Sequence, residues 1–312
     1  MVLLVSNYND SITDEICSWL SSEDKKFIRL NENQVISSIN FNFNQSLFEI
    51  SIDKISYNLN EIKSVFYRNG TISYNTCDIS NDELDVDVDL EEFYRRECSS
   101  ITNFIFYYLQ TRNIPMYGNF FVKEVNKLEV LHLASMLGFK IPETYIFSEV
   151  SDIKKAIIKK KFITKALSEM QPIINGEGLY LNYTSQICKE NIQNKIKIIP
   201  TLLQNKILTD FEIRTFFFEN KIWSIATFDF ENNVDIRNIK EIDKKYIPYE
   251  LPKSLQKKIL KLAKVLKLKC GTIDFLRTKN EYFFLEVNPL GQFHQVSLFG
   301  NYNIGKYIAS LL

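Results

Sequence analysis

The chain has 312 residues, enough for two or three domains and a sizeable buried core. Lysine plus arginine and aspartate plus glutamate number 38 each, so the formal net charge is zero and the electrostatic footprint of a nucleic-acid binder is missing. The five cysteines, Cys17, Cys77, Cys98, Cys188 and Cys270, are scattered and lack Cys-x-x-Cys spacing, which argues against a disulfide framework or zinc site and points to a reducing, cytoplasmic setting.

The opening run Val2 to Val5 reads as a short buried strand, without the basic segment of a signal peptide, and no later stretch approaches membrane-spanning length. From Asp10 to Leu20, the residues Ile12, Ile16, Trp19 and Leu20 recur at helical spacing behind a polar start. Strand patterns follow at Lys26 to Leu30, Leu47 to Ile52 and Ser64 to Tyr67. Residues 1–116 therefore read as a small α/β domain of Rossmann-like character. No Gly-x-Gly-x-x-Gly follows the first strand, so no dinucleotide is assigned to it. Arg68, in Tyr-Arg-Asn-Gly, is a surface contact or an ordinary turn residue. Asn81 to Glu92 packs seven acids into twelve residues and has too little apolar content to order itself. It reads as a solvated loop, or as a lid or contact for a basic peptide. From Leu90 to Gln110 a stripe of Phe93, Ile101, Phe104, Ile105, Tyr108 and Leu109 predicts the helix that closes this domain.

Asn126 to Leu137 is a helix with Gly138 as its stop, followed by an extended FKIPETYIF. Lys127 stands at the helix start, where the dipole disfavours a cation, and this suggests a phosphate partner. His132 reads as an ordinary core or surface residue. Asp152 to Lys161 is a lysine-rich helix with a wet face. Lys165 lies among apolar neighbours in the strand Phe162 to Leu167, and a half-buried lysine needs an anion. The segment beyond it contains Gly176 and Gly178, which make a hairpin turn or a phosphate-covering loop, the hairpin being preferred. Thr201 to Gln204 is a strand whose edge can offer backbone groups to a flat heterocycle. Asp210, Glu212 and Arg214 alternate along the next strand and share a face. Arg214 is suited to binding carboxylate or phosphate bidentately, against the plainer reading of a salt-bridged strand face. Arg237 is a further basic candidate. Ser254 to Leu268 is amphipathic, with five lysines opposite Leu255, Ile259, Leu262 and Leu266, and packs on the adjacent sheet rather than on a membrane.

The most informative stretch is Cys270 to Asn288. Two apolar runs, Thr272 to Leu276 and Tyr282 to Val287, flank a polar link and predict a β-hairpin. Glu286 and Asn288 fall on one face, and a turn near Asn280 puts Asp274 across from Glu286. Acids among so many apolar residues are costly to bury unpaired, and oxygen donors without His or Cys suit Mg²⁺. Gly-x-x-Asp followed by Glu-x-Asn resembles the metal-binding end of ATP-grasp carboxylate ligases.

Taken in order, Asn126-Lys127-Leu128, Ile141-Pro-Glu-Thr144, Lys165, Gln204, Asp210-x-Glu-x-Arg214, Asp235-x-Arg237, Asp274 and Glu286-x-Asn288 resemble the ATP-grasp ligases that mature ribosomally made peptides. The likeness is to the microviridin-type graspetide synthetases, in particular their grasp-with-spasm branch. It implies a mixed α/β (α+β) ATP-grasp fold. Residues 1–116 would be a pre-ATP-grasp domain, 117–204 a central lid subdomain and 205–312 a C-terminal subdomain with the metal site. By the same resemblance, Lys127 and Lys165 hold ATP phosphates, Gln204 lies against the adenine and Asp210 shapes the nucleotide site. Arg214 and Arg237 grip the reacting carboxylate and γ-phosphate, and Asp274, Glu286 and Asn288 carry Mg²⁺. The implied activity joins Asp or Glu side chains of a precursor peptide, with leader and core segments, to Ser/Thr hydroxyls or Lys amines. A homodimer is suggested too. Ligation of a free amino acid to a peptide or protein carboxylate, and a non-catalytic nucleotide- or peptide-binding module, are the alternatives.

Overall fold

A computed structural model describes residues 1–75, 88–122, 124–168, 173–175, 178–180, 183–228 and 244–312, with backbone alone at 88–89, 173–175 and 178–180. The chain forms two compact units, Met1–Lys123 with Asn303–Leu312, and Glu124–Tyr302.

In the first unit the described elements are β1 (Val2–Val5), α1 (Ser11–Ser22), β2 (Phe27–Leu30), β3 (Ile36–Asn42), β4 (Leu47–Ile52), β5 (Ile55–Asn58), β6 (Ser64–Tyr67), α2 (Val88–Thr111) and β7 (Met116–Tyr117). Strands β2-β1-β6-β7 make a parallel sheet, which bears out the Rossmann-like reading. Both β1 and β6 are buried at every residue, as a parallel strand covered on two faces requires. Strands β3, β4 and β5 form a separate antiparallel meander. Its Phe48, Ile50 and Ile52 join Leu3, Val65 and the α2 residues Ile105, Phe106 and Leu109 in one core. Arg68, read from sequence as a surface or turn residue, is buried at 6 % exposure, with its Nε 3.8 Å from Asp10 Oδ2.

The second unit contains α3 (Lys127–Met136), β8 (Thr144–Phe147), α4 (Val150–Lys159), β9 (Phe162–Thr164), β10 (Ile173–Asn175), β11 (Gly178–Tyr180), β12 (Ser185–Ile187), α5 (Lys189–Ile192), β13 (Thr201–Asn205), β14 (Phe211–Phe218), β15 (Lys221–Phe228), β16 (Lys245–Pro248), α6 (Lys253–Val265), β17 (Cys270–Arg277), β18 (Tyr282–Asn288) and α7 (His294–Gly300). Asn126 caps α3 by accepting from the backbone N–H groups of Leu128 and Glu129, and Gly138, at φ +77°, follows its end. Strands β10 and β11 pair as the expected hairpin; Gly176 lies outside the described residues.

Two antiparallel sheets organise this unit, β12-β9-β13-β8 and β16-β15-β14-β17-β18. Phe162 and Leu203 turn one face of the first sheet toward Ile153 of α4 and Ile192 of α5. In the second sheet, Ile213, Phe217, Ile273, Phe275, Phe284 and Val287 pack with the α6 residues Leu255, Ile259 and Leu262 and with α3. The lysines of α6 stay at the surface or partly so, as its amphipathic pattern dictates. Strand alternation leaves the residues between those core positions on the opposite face of each sheet.

Residues 303–312 end the chain yet group with the first unit. There α8 (Ile304–Leu311) packs on α1, Lys25 Nζ donates to Ala309 O (2.7 Å), and Ser64 Oγ donates to Leu312 O (2.7 Å).

Candidate active site

The chemistry concentrates on the face of the five-stranded sheet turned away from α3 and α6. Register pairs Asp274 with Glu286 and Thr272 with Asn288, the opposition read from the sequence. The ladder shifts between Asp274 and Phe275, and a bulge at that point re-aims neighbouring side chains. Asn288 Oδ1 accepts the Leu290 N–H (3.0 Å), which fixes the amide where the strand stops. Strand β14 lies on the other side of β17 and sets Arg214 directly across from Asp274.

Arg214 Nη1 stands 3.4 and 3.5 Å from the two Asp274 oxygens. Close charge-assisted pairs run at about 2.7–2.9 Å, so this contact is loose. Its Nε is buried and has no hydrogen-bond partner among the described residues. A buried donor on a permanent cation, beside a loose ion pair, has the chemistry to take an anionic oxygen.

Lys165, just past β9, donates to Glu286 Oε2 at 3.2 Å. Lys127 donates to the carbonyls of Ser168 (2.9 Å) and Ala166 (3.5 Å), so it holds the segment that follows Lys165. Asp274, Glu286, Asn288, Arg214 and Lys165 thus come together, two carboxylates and an amide beside two cations. Among the described residues no three His, Cys, Asp or Glu side chains form a cluster, so a metal here would draw on the asparagine. Two carboxylates and an amide oxygen suit a hard divalent ion such as Mg²⁺.

Asp210 stands apart. It is exposed, precedes β14, and its N–H donates to Arg277 O (2.7 Å), four residues and roughly 13 Å along the strand from Arg214. Arg237 lies outside the described residues. At the hairpin's turn end, Tyr249 and Tyr282 share a hydroxyl contact of 2.7 Å. Burial first, then that hydrogen bond, raise the pKa of Tyr249, which keeps it a neutral structural contact.

The architecture recurs in solved structures along almost the whole chain. Macrocyclase MdnC from Microcystis aeruginosa, bound with precursor peptide MdnA, matches with a TM-score of 0.79 at 23 % identity over 100 % of this chain and 98 % of that one. A RiPP-associated ATP-grasp ligase from Chryseobacterium gregarium, in complex with ADP and a leader and core peptide, matches with a TM-score of 0.78 at 22 % identity over 100 % and 96 %. The ATP-grasp ligase PsnB, complexed with minimal precursor, Mg and ADP, gives 0.73 at 12 % identity over 99 % and 96 %. The chain has the ATP-grasp fold. No protein-family model and no curated protein matches its sequence.

Within this ATP-grasp frame two threonines stand beside residues singled out from the sequence without having been given a role there, Thr144 having been named only as the end of Ile141-Pro-Glu-Thr144. Thr272 sits two residues from Asp274 on the same face, and its buried Oγ1 has no partner among the described residues. Thr144 lies across from Gln204 in the β8–β13 ladder and accepts its Nε2–H at 3.0 Å. The available signal was strand period: each stands at an interval of two from, or in register with, a residue already singled out.

Proposed function

We propose that this chain is an ATP- and Mg²⁺-dependent ligase that closes rings in a ribosomally made precursor peptide. The observation that carries the reading is the single sheet face on which Asp274, Glu286 and Asn288 meet Arg214 and Lys165. The full-length likeness to peptide-bound ATP-grasp enzymes supports it.

Asp274, Glu286 and Asn288 would hold Mg²⁺, which when bound offsets negative charge on the nucleotide phosphates. Lys165 and Lys127 would hold those phosphates, and Arg214, with Arg237, the incoming carboxylate and the γ-phosphate. A substrate Asp or Glu oxygen attacks the γ-phosphorus, the bond to the β-phosphate oxygen breaks, and ADP departs. A Ser or Thr hydroxyl, or a Lys amine, then attacks the acyl carbon, loses its proton and expels phosphate. No enzyme nucleophile is needed. Bringing a carboxylate to a triphosphate means overcoming mutual repulsion, and positioned cations supply most of the acceleration in such transfers.

The test is the mass of peptide after incubation with the enzyme, Mg²⁺ and ATP. Ring closure lowers it by one water per bond, with one ADP formed for each. A mass gain equal to an amino-acid residue, in the presence of free amino acids, would instead identify a ligase that extends a peptide. No nucleotide turnover with any carboxylate-bearing peptide would remove both readings.

A further inference from the structure

Thr272 is 1 % exposed in β17, and its Oγ1 has no hydrogen-bond partner among the described residues. A buried hydroxyl left unmet costs stability, and valine, of nearly the same shape and well suited to a packed strand, would avoid that cost. The neighbours on its face narrow what the hydroxyl is for. On one side stands Phe216 of β14, which has no polar atom in its side chain, and on the other stands Asn288 of β18. Directly opposed residues have Cβ atoms about 4.5–5.5 Å apart, so the Asn288 amide lies within reach of Oγ1. That amide has a fixed sense. The Leu290 N–H can only donate, so the atom 3.0 Å from it is Oδ1, and Nδ2 is the other arm. Among the described residues the hydrogen bond of this side chain runs through Oδ1 and none through Nδ2. An unmet amide donor and an unmet hydroxyl thus oppose each other across the β17–β18 ladder, next to the pair Asp274 and Glu286.

We infer that Thr272 is a positioning residue for Asn288: its hydroxyl takes the Nδ2–H while Oδ1 serves a divalent ion, so that the amide cannot present its nitrogen to the metal. The inference rests on the assignment of Asn288 to Mg²⁺ above and adds to it the residue that orients this ligand. Oδ1 has two lone pairs, one engaged by the Leu290 N–H and one left for an ion. Anchoring the nitrogen as well holds the amide at both ends, and a hydrogen bond at N–H polarises the group toward its oxygen, which improves it as a donor to a hard cation. Asp274 and Glu286 need no such partner, because either oxygen of a carboxylate serves. Asn288 is the one member of the three with a wrong end, and it is the one opposite the hydroxyl.

Titration of the full chain and ADP with Mn²⁺, a paramagnetic stand-in for Mg²⁺ followed by water-proton relaxation, reads the site without turnover. Thr272→Val should bind the ion roughly tenfold more weakly than the parent, the usual effect of losing a group that orients a ligand. Its urea midpoint should equal or exceed the parental one, since a buried hydroxyl without a partner has been removed. Thr272→Ser retains parental affinity, a rescue that packing alone would not produce. Thr272→Ala, which does not depend on valine fitting the strand, also weakens binding. In an Asn288→Asp background, where the ligand has no wrong end, adding Thr272→Val changes affinity by less than about twofold. Parental affinity in folded Thr272→Val or Thr272→Ala, a loss undiminished in the Asn288→Asp background, or a loss that comes with a lowered urea midpoint in Thr272→Val overturns the inference and leaves the metal assignment in place. Failure of the parent to bind Mn²⁺ with ADP overturns both.

Discussion

Arg214→Lys separates chemistry from architecture at the centre of the site. Arg214 sits on β14, a strand flanked on both sides by β15 and β17, so its backbone stays fixed whatever the side chain does. The ion pair it would lose is loose, at 3.4 Å, between side chains 24 % and 28 % exposed. A partly solvated pair of that kind contributes no more than about 1 kcal/mol, and lysine keeps the charge. Removing Nε also removes a buried donor without a partner among the described residues, which offsets part of any loss. The unfolding midpoint should therefore barely move. Turnover should behave differently, because lysine offers a point charge where the fork of arginine meets two oxygens at once. Losing one preorganised donor at developing charge costs about 10²–10³ in kcat, or roughly 2.7–4 kcal/mol of barrier. Phosphate release with peptide and Mg·ATP, measured beside thermal unfolding, reads both quantities. An Arg214→Lys variant turning over within about threefold of the parent would refute the role assigned to this side chain. Loss of activity together with a collapsed midpoint would make Arg214 a residue of the fold instead.

Glu286→Gln should leave the unfolding midpoint within about 1 kcal/mol of the parent, since its Lys165 partner pair is partly solvated, yet lower turnover by about 10² or more and weaken the response to added Mg²⁺; a parental magnesium titration curve would count against it as a ligand. Gly271→Ala puts a methyl 2.8 Å from Phe217 Cζ and 3.1 Å from Asn288 O inside the packed sheet, and should cost about 1–3 kcal/mol in urea unfolding. An unchanged urea midpoint would mean that the sheet yields more readily than its packing implies. Burial pushes the Tyr67 and Tyr74 hydroxyls up to about 12 from an ordinary 10. Because the unfolded chain gives up those protons first, their contribution is complete below pH 10 and is lost as pH rises toward 12. Urea midpoints taken at pH 8 to 11 should fall less steeply for Tyr67→Phe with Tyr74→Phe than for the parent, and parallel curves would exclude the two tyrosines as the cause.

The late hairpin was legible because two simple periodicities agree there. A polar link between apolar runs set the turn, and the turn set Asp274 against Glu286. The bulge after Asp274 was not legible, since an extra residue in one strand leaves no composition signal. Strands β3 and β5 were missed for another reason: ISSINFN and ISYN face solvent along much of their length, so they carry too few apolar residues to announce a strand. Strand β4, alternating buried and half-buried along LFEISI, was plain. Attachment of α8 to the first unit depends on contacts such as Lys25 with Ala309, far apart in sequence. Thr144 is the instructive miss. Nothing in Ile-Pro-Glu-Thr distinguishes its hydroxyl until the β8–β13 register sets it beside Gln204, 60 positions later.

What the fold achieves at this face is a balance of charge that can be exchanged. Asp274 and Glu286 oppose each other on paired strands, an arrangement that repulsion and desolvation would make costly without cations nearby. Arg214 and Lys165 provide those cations from the neighbouring strand and from the other sheet, at separations of 3.2–3.5 Å that hold the groups in place without closing tightly on them. In the proposed reaction a nucleotide arriving with divalent ions would bring both signs of charge. The carboxylates would then turn to the metal, and the guanidinium and ammonium to phosphate, with little change in the local sum. Because the resting pairs are loose and partly solvated, the exchange forfeits little Coulomb energy, and because the strands are fixed it requires little movement of backbone. The same pairs that keep two carboxylates tolerable at rest therefore leave each member already aimed at its partner in the proposed reaction.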